Sequence, residues 1–308
     1  MEKGVVIKST GSWYHVRTVA GELYHCSIKG KLRLDKLKST NPVAVGDNVE
    51  FEVDNHSSTG VISSVCERKN YIIRKSTNLS KQTHILAANI DQAVLLVTVN
   101  YPVTTTVFID RFLASAEAFD IPVVIIFNKI DRYDKAHIKR VEELKSIYQS
   151  IEYPVMQLSA KTDQNFDQVM ALFKERVSLI AGHSGVGKST LINRLEPELN
   201  LKTREISSAH QTGKHTTTFA EMHPFSFGGY VIDTPGIRGF GLAMIEKEEL
   251  NYYFREIFKA SLGCRFHNCT HIHEPHCAVK EAVKEGYIAE SRYNSYINIF
   301  LNKDEKYR

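Results

Sequence analysis

Apolar positions along this chain fall into three regimes. Over the first seventy or so residues they come in short runs, at 5–8, 13–19, 23–28, 49–53 and 61–66. Turn-forming residues separate the runs: Thr10-Gly11-Ser12, Ala20-Gly21, Val45-Gly46-Asp47-Asn48 and Ser57-Ser58-Thr59-Gly60. Five short strands in so small a segment predict a β-barrel of the OB type, with a sandwich fragment as the competing fold. From residue 85 the apolar blocks become continuous and alternate with helix-length amphipathic segments. Strands are predicted at 93–99, 122–127, 155–158, 177–181 and 230–232, and helices at 107–119, 136–148, 166–174 and 188–195. In the first helix Phe108, Phe112, Ala116 and Phe119 recur on one face. Strands that are apolar at nearly every position, joined by helices, indicate a mostly parallel sheet covered on both faces. Beyond residue 241 the chain is helical and polar-aromatic, with helical segments at 246–258 and 279–300 around a cysteine- and histidine-rich interruption. The expected domains are 1–70, 71–240 and 241–308, with the polar, basic stretch 68–81 (Arg68, Lys69, Arg74, Lys75, Lys81) as linker.

Composition narrows the class. The 308 residues are 43% hydrophobic and 24% charged, ordinary for a soluble globular protein. No apolar run approaches the length of a membrane span, and the first residues lack the apolar core of a signal peptide, so a cytoplasmic protein with no membrane partner is expected. The net charge of +4 is concentrated: residues 1–75 hold 12 basic and 8 acidic residues, and the remainder is balanced. The basic run at 29–38 falls in the long connection between the third and fourth strands of the barrel. A surplus confined to a small barrel reads either as solvated surface or as a polyanion-binding module. No heptad seam is evident, and a monomer is expected.

The middle region carries the chemistry. Gly182-His183-Ser184-Gly185-Val186-Gly187-Lys188-Ser189 fits G-x-x-x-x-G-K-[ST] at every fixed position, and it lies between a strand and a helix as that motif requires. Glycines let successive N–H groups point inward at a phosphate, and the helix N-terminus adds its positive dipole end. Lys188 supplies a charge between the β- and γ-phosphates, the Ser189 hydroxyl can hold Mg²⁺, and Thr190 continues the nucleotide-contacting turn. Asn128-Lys129-Ile130-Asp131 follows one strand and Ser159-Ala160-Lys161 the next. The Asp131 carboxylate can accept from both the ring N–H and the exocyclic amine of guanine, donors that adenine does not present there. Asn128 can bond the carbonyl side of the base, Lys129 can lay its stem over the base plane, and the Ser159–Lys161 segment suits a backbone contact to the guanine oxygen. Asp233-Thr234-Pro235-Gly236 follows the last strand; the carboxylate can hold Mg²⁺ through water and the Gly236 N–H can meet the γ-phosphate.

Two departures from ordinary small GTPases stand out. The base-reading pair precedes the phosphate loop, so the motif order is circularly permuted. Ile237 also follows Gly236, where Ras-type proteins carry a water-orienting glutamine. In the intervening segment Gln211-Thr212-Gly213-Lys214-His215-Thr216-Thr217-Thr218, Thr216 or Thr217 is expected on Mg²⁺, and His215 is the nearest group able to orient a water. Arg238 could also support transition-state charge. Cys264, Cys269 and Cys277, with His267, His271, His273 and His276 among them, suit a closed Cys₃His zinc site whose imidazole counting alone leaves open.

Together these motifs resemble the ribosome small-subunit-dependent GTPase A family, over essentially the whole chain. The resemblance implies an α/β P-loop GTPase core, circularly permuted, with an N-terminal OB-fold that binds ribosomal RNA and a C-terminal helical zinc region. It implies GTP hydrolysis to GDP, stimulated by the small ribosomal subunit, in late maturation of that subunit, with release of the protein itself or of an assembly factor. It places the hydrolysis histidine at His215 and the zinc ligands at Cys264, Cys269, His271 and Cys277. The family usually has Glu-Pro-Gly-Cys where this chain has Glu274-Pro275-His276-Cys277. The rival reading is a nucleotide-gated RNA-binding module with little turnover, which Ile237 favours.

Overall fold

The structure, a computed structural model, describes residues 1–30, 42–54, 58–75, 83–162, 164–201, 220–233 and 245–301. His215, Thr216, Thr217, Gly236, Ile237 and Arg238, most of the basic run at 29–38 and the stretch 76–81 lie outside the described residues.

Five strands build the barrel: β1 (Glu2–Ser9), β2 (Tyr14–Thr18), β3 (Leu23–Ile28), β4 (Asn48–Val53) and β5 (Thr59–Val65). Their order is β1-β2-β3-β5-β4, and β4 pairs back onto β1 to close the ring. The β3–β5 pair is parallel and the others antiparallel. Alternate positions point inward, so Val6, Tyr14, Val16, Cys26, Val49, Phe51 and Ile62 fill one core. Closure removes the sheet edges, as expected for an OB barrel and not for a sandwich.

Next comes a hairpin of β6 (Tyr71–Lys75) and β7 (Thr83–Ala88). Residues 68–75, expected as linker, therefore belong to the fold. The side chains of Arg68 and Asn70 are structural. Arg68 grips Asp47 with two bonds of 2.7 Å, the aspartate is fully buried, and the same guanidinium donates to the Pro42 carbonyl. Asn70 exchanges two 2.8 Å bonds with the backbone of Ile90. At the joint Ala88 N–H donates to Val45 O, and Asn89 Nδ2 donates to Gly46 O. Gly46 has φ +88°, and a Cβ there would lie 2.1 Å from Ala88 O, so only glycine lets the barrel approach so closely.

The nucleotide domain adds β8 (Gln92–Val97), α1 (Thr106–Glu117), β9 (Val123–Phe127), α2 (Lys135–Ser150), β10 (Val155–Gln157), α3 (Phe166–Phe173), β11 (Val177–Ala181), α4 (Lys188–Leu195), β12 (Glu221–Pro224) and β13 (Tyr230–Asp233). The order β10-β9-β8-β11-β13 is parallel, and β12 joins antiparallel. Alternation sorts each strand between two cores. Ala93, Leu95 and Val97 of β8 pack with α1 and α2, whereas Val94 and Leu96 pack with α3 and α4. β12 then pairs with β1, so barrel and core share one sheet of 11 strands. The hairpin strands and β12 went unread in the sequence because each is short and mixed in polarity.

The last region holds a 3₁₀ helix over Lys247–Tyr253, α5 (Arg255–Ser261), α6 (Ala278–Lys284) and α7 (Glu290–Phe300). Two helices were expected across 246–258 and 279–300, and each is broken in two. Their core (Leu250, Phe254, Ile257, Val279, Tyr296) reaches Ala114 of α1. A buried charge network fastens it. Arg292 of α7 donates to Asp110 of α1 at 2.8 Å and to both carboxylate oxygens of Glu256 at 2.6 and 3.1 Å, and Tyr148 of α2 donates to Asp110 at 2.9 Å. Among the described residues no helix is long and apolar enough to cross a membrane.

Removing one member of a buried pair strands the other. Arg68→Met should therefore cost about 3–5 kcal/mol in chemical denaturation, and the double variant Asp47→Asn/Arg68→Met should be less destabilised than the single one.

Candidate nucleotide site and metal centre

The phosphate loop leaves β11 and enters α4. Gly182, Gly185 and Gly187 all have positive φ, at 143°, 83° and 103°. A Cβ on Gly182 would lie 2.4 Å from Leu96 O, and one on Gly187 would lie 2.4 Å from Asn128 Nδ2. No side chain caps α4, so the N–H groups of its first turn point to the loop mouth, where an anion can accept from them. Lys188 Nζ donates to the carbonyls of Gly182 and His183 at 2.7 and 2.9 Å, which stations the ammonium over the loop. The His183 ring lies 3.7 Å from that of Phe108, tilted by 31°. Ser184 and Thr190 are exposed, and Ser189 lies half-buried in the first turn.

The base-reading segments close on this loop through Asn128. Its side chain is buried: Nδ2 donates to Val186 O at 2.8 Å, and Oδ1 accepts from Ala160 N–H at 2.9 Å. These partners fix the amide's orientation and leave one N–H of Nδ2 for a base. The backbone N–H of Ala160 is directed into the protein here. Ile130 N–H donates to Leu158 O, Ser159 Oγ donates to Asp131 Oδ1 at 2.6 Å, and Asp131 itself is exposed. Lys161 is exposed beside it. Lys129 is left-handed at φ 66°, and its ammonium bonds Gly185 O and Tyr101 O at 2.5 and 2.6 Å. Its stem thus lies along the phosphate loop. Burial, with Arg132 beside it, holds Lys129 below its ordinary value.

Three supporting residues had no signal in the sequence. Tyr133 donates to Asn128 O at 2.7 Å and accepts from Val99 N–H. Arg194 of α4 bonds the carbonyls of Ala160 and Thr162. Phe108 carries the loop histidine. None belongs to a motif, since each acts through a carbonyl or a ring face that any neighbouring residue could offer.

Asp233 ends β13 in register with Ile180 of β11, two residues before Gly182. Asp233 and Ser189 thus come from neighbouring ends of adjacent elements. A hydroxyl and a carboxylate there are the hard oxygen donors that Mg²⁺ takes.

In the C-terminal region Cys264, Cys269, His271 and Cys277 bring their ligand atoms within 4.8 Å of one another. Cys264 Sγ lies 3.8 Å from Cys277 Sγ, and His271 Nδ1 lies 3.6 and 3.4 Å from the two sulfurs. A tetrahedron with Zn–S bonds of ~2.3 Å has sulfur–sulfur edges of ~3.8 Å, so the set is compatible with zinc. Burial pushes the Cys269 thiol up to about 12, so a cation is needed to hold the sulfurs as thiolates. Burial lowers His271, keeping its ring neutral as a ligand must be. His267, His273 and His276 are exposed and stand outside the cluster. Against the burial that would raise it, the Thr270 hydroxyl and nearby backbone N–H groups hold Glu274 down at about 2. Tyr293 and Tyr296 of α7 donate to the carbonyls of His271 and Thr270, which docks the loop on the helix.

Residues 65–243 match the family model for the RsgA GTPase, and residues 3–62 match that for the RsgA N-terminal domain. The chain is 57% identical over 307 residues to the small ribosomal subunit biogenesis GTPase RsgA of Bacteroides fragilis, covering 99% of both chains. It is 53% identical to the protein of that name from Christiangramia forsetii, over 99% of this chain and 98% of the relative. Among solved structures it resembles YjeQ from Thermotoga maritima (TM-score 0.80, 39% identity, 98% of each chain). It also resembles YloQ, described as a circularly permuted GTPase (TM-score 0.75, 30% identity, 99% of this chain and 96% of that one).

Asp131→Asn replaces an acceptor pair by one donor and one acceptor, so GDP affinity should fall by roughly 10²-fold or more while xanthosine diphosphate gains. Competition titrations measure both. Stripping the chain with a zinc chelator should raise proteolysis across residues 264–277 and leave GDP affinity within about two-fold, because structural sites bear on local folding.

Proposed function

The chain belongs to the RsgA GTPase family, and from that membership we propose that it binds the small ribosomal subunit and hydrolyses GTP to GDP and phosphate late in that subunit's maturation. That the chain is a GTPase follows from the family; the substrate particle is the proposal. The observation that carries the GTPase reading is the Asp131 carboxylate and the phosphate loop, joined through Asn128, and the small-subunit role rests on the full-length relatives of that name. Guanine is read by Asp131, with Asn128, Lys129 and the Ser159–Lys161 segment around the base. The N–H groups of residues 182–190 and Lys188 hold the phosphates. Ser189 and Thr217, with Asp233 through water, would hold Mg²⁺, which would supply countercharge to the phosphates. Gly236 meets the γ-phosphate, and His215 orients the attacking water in place of the glutamine that Ras-type proteins carry after Gly236.

The barrel supplies the grip on ribosomal RNA. Its surface carries the half-exposed Trp13, and Lys3 and Lys29 in exposed ion pairs with Glu50 and Glu52 that a phosphate can displace; aromatic faces and cations suit unstacked bases and phosphates. Cys264, Cys269, His271 and Cys277 hold one structural zinc. The protein acts as a monomer in the cytoplasm, where small subunits mature. Hydrolysis releases the switch segment, and the protein, or an assembly factor beside it, leaves the particle.

Phosphate release by wild type and His215→Ala, with and without purified small subunits, tests the proposal together with co-sedimentation under GTP and GDP analogues. Expected are binding that favours the triphosphate state and stimulated turnover. His215→Ala should retain GTP affinity and lose roughly 10²-fold or more of the hydrolysis rate. Absence of co-sedimentation in either state removes the small subunit from the reading. Binding without turnover leaves a nucleotide-gated RNA-binding module.

A further inference from the structure

Among the described residues the barrel meets the nucleotide domain through apolar packing of Val5 and Ile7 of β1 against the core, and at two polar places of opposite character. One is the buried joint of Asp47, Arg68 and Asn89. The other is a single backbone pair, Lys8 of β1 opposite Glu221 of β12. It carries an ion pair of 3.2 Å whose side chains are 37% and 36% exposed. The first place is largely closed to solvent. The second is a half-exposed ion pair beside the apolar packing of Ile7, and such a pair itself contributes little to stability and yields to competing charge.

That pair sits in a row of directly opposed residues that crosses the fused sheet. His25 is opposite His15, His15 opposite Lys8, Lys8 opposite Glu221, Glu221 opposite Asp233, and Asp233 opposite Ile180, two residues before the phosphate loop. The row begins on the barrel and ends at the nucleotide. Its charges are arranged with purpose. Glu221 and Asp233 are acidic residues at directly opposed register positions. Lys8 brings the countercharge from the other domain. Beside it the His15 and His25 rings lie 4.3 Å apart. Burial, with His25 and Lys8 as neighbours, holds His15 below its ordinary value.

We propose that Lys8 and Glu221 form an electrostatic latch between the domains: phosphates of a nucleic acid on the barrel take Lys8, and Glu221, left without its countercharge, makes the Mg²⁺ side of the nucleotide site more negative. The latch rests on the nucleic-acid role proposed above for the barrel. Lys8 and Glu221 are positioning residues. They act through the strand that carries Asp233, and their effect is a change of local charge.

The sign of that effect separates it from packing. A fluorescent GDP analogue is titrated at rising Mg²⁺ concentrations. Lys8→Met should lower the Mg²⁺ needed for half-maximal stabilisation by roughly two- to five-fold, and Glu221→Gln should raise it by a similar factor. The double variant should return to the wild-type value. Single-stranded RNA should shift the wild type toward the Lys8→Met value and leave Lys8→Met unmoved. In co-sedimentation Lys8→Met should bind small subunits more weakly and Glu221→Gln more tightly. Shifts of the same direction in both single variants, or no shift in either, overturn the latch. If the wild type ignores small subunits, the proposed function fails, and the Mg²⁺ titrations with RNA still decide the latch.

Discussion

One buried carboxamide holds the nucleotide site in shape. Asn128 gives an N–H to the phosphate loop and takes one from the Ser159–Lys161 segment, so three loops from three strands share a single set of coordinates. Both bonds are sheltered from water, where an unmatched polar atom is costly. The arrangement also dictates its neighbours. Gly187 must lack a Cβ because the amide occupies that space, and Tyr133 and Arg194 brace the carbonyls on either side. The Asn128–Asp131 segment, the Ser159–Lys161 segment and the phosphate loop are therefore one construction.

That construction does not depend on chain order. Asn128, Ser159, Gly182 and Asp233 all follow the carboxyl ends of neighbouring parallel strands in the order β10-β9-β8-β11-β13. Such a rim is the same wherever the chain is cut. The permutation changes what is attached to each end. Here it puts a closed barrel before the first core strand and a helical region with a Cys/His cluster after the last.

Much of this was legible in the residues. The bounds of β11 and α4 coincide with the predicted 177–181 and 188–195, because a continuous apolar block and a glycine-rich turn leave little freedom. The strand of residues 122–127 emerged one residue shorter, and the five barrel strands within a few residues of expectation. The fourth member of the metal cluster could not be counted from sequence. Burial selects His271, since its three rival histidines are exposed. The linker reading failed for a physical reason. Arg68 and Asn70 are polar, and polarity suggested solvent, whereas each is a buried partner for groups twenty or more residues away. Pairings of that kind leave no periodicity to detect.

The clamp between α7 and α1 bears on how the molecule can be dissected. Arg292 faces Asp110 and Glu256 in a pocket with almost no solvent, and Arg255 ties Glu117 to the carbonyls of Ile151 and Glu152. A chain shortened before residue 245 would leave Asp110 and Glu117 without their cations on a helix whose first turn touches the phosphate loop. Kinetics recorded on such a fragment would describe a helix in altered surroundings, and a slower catalyst there would say nothing about whether the missing region ever contacts a ribosome.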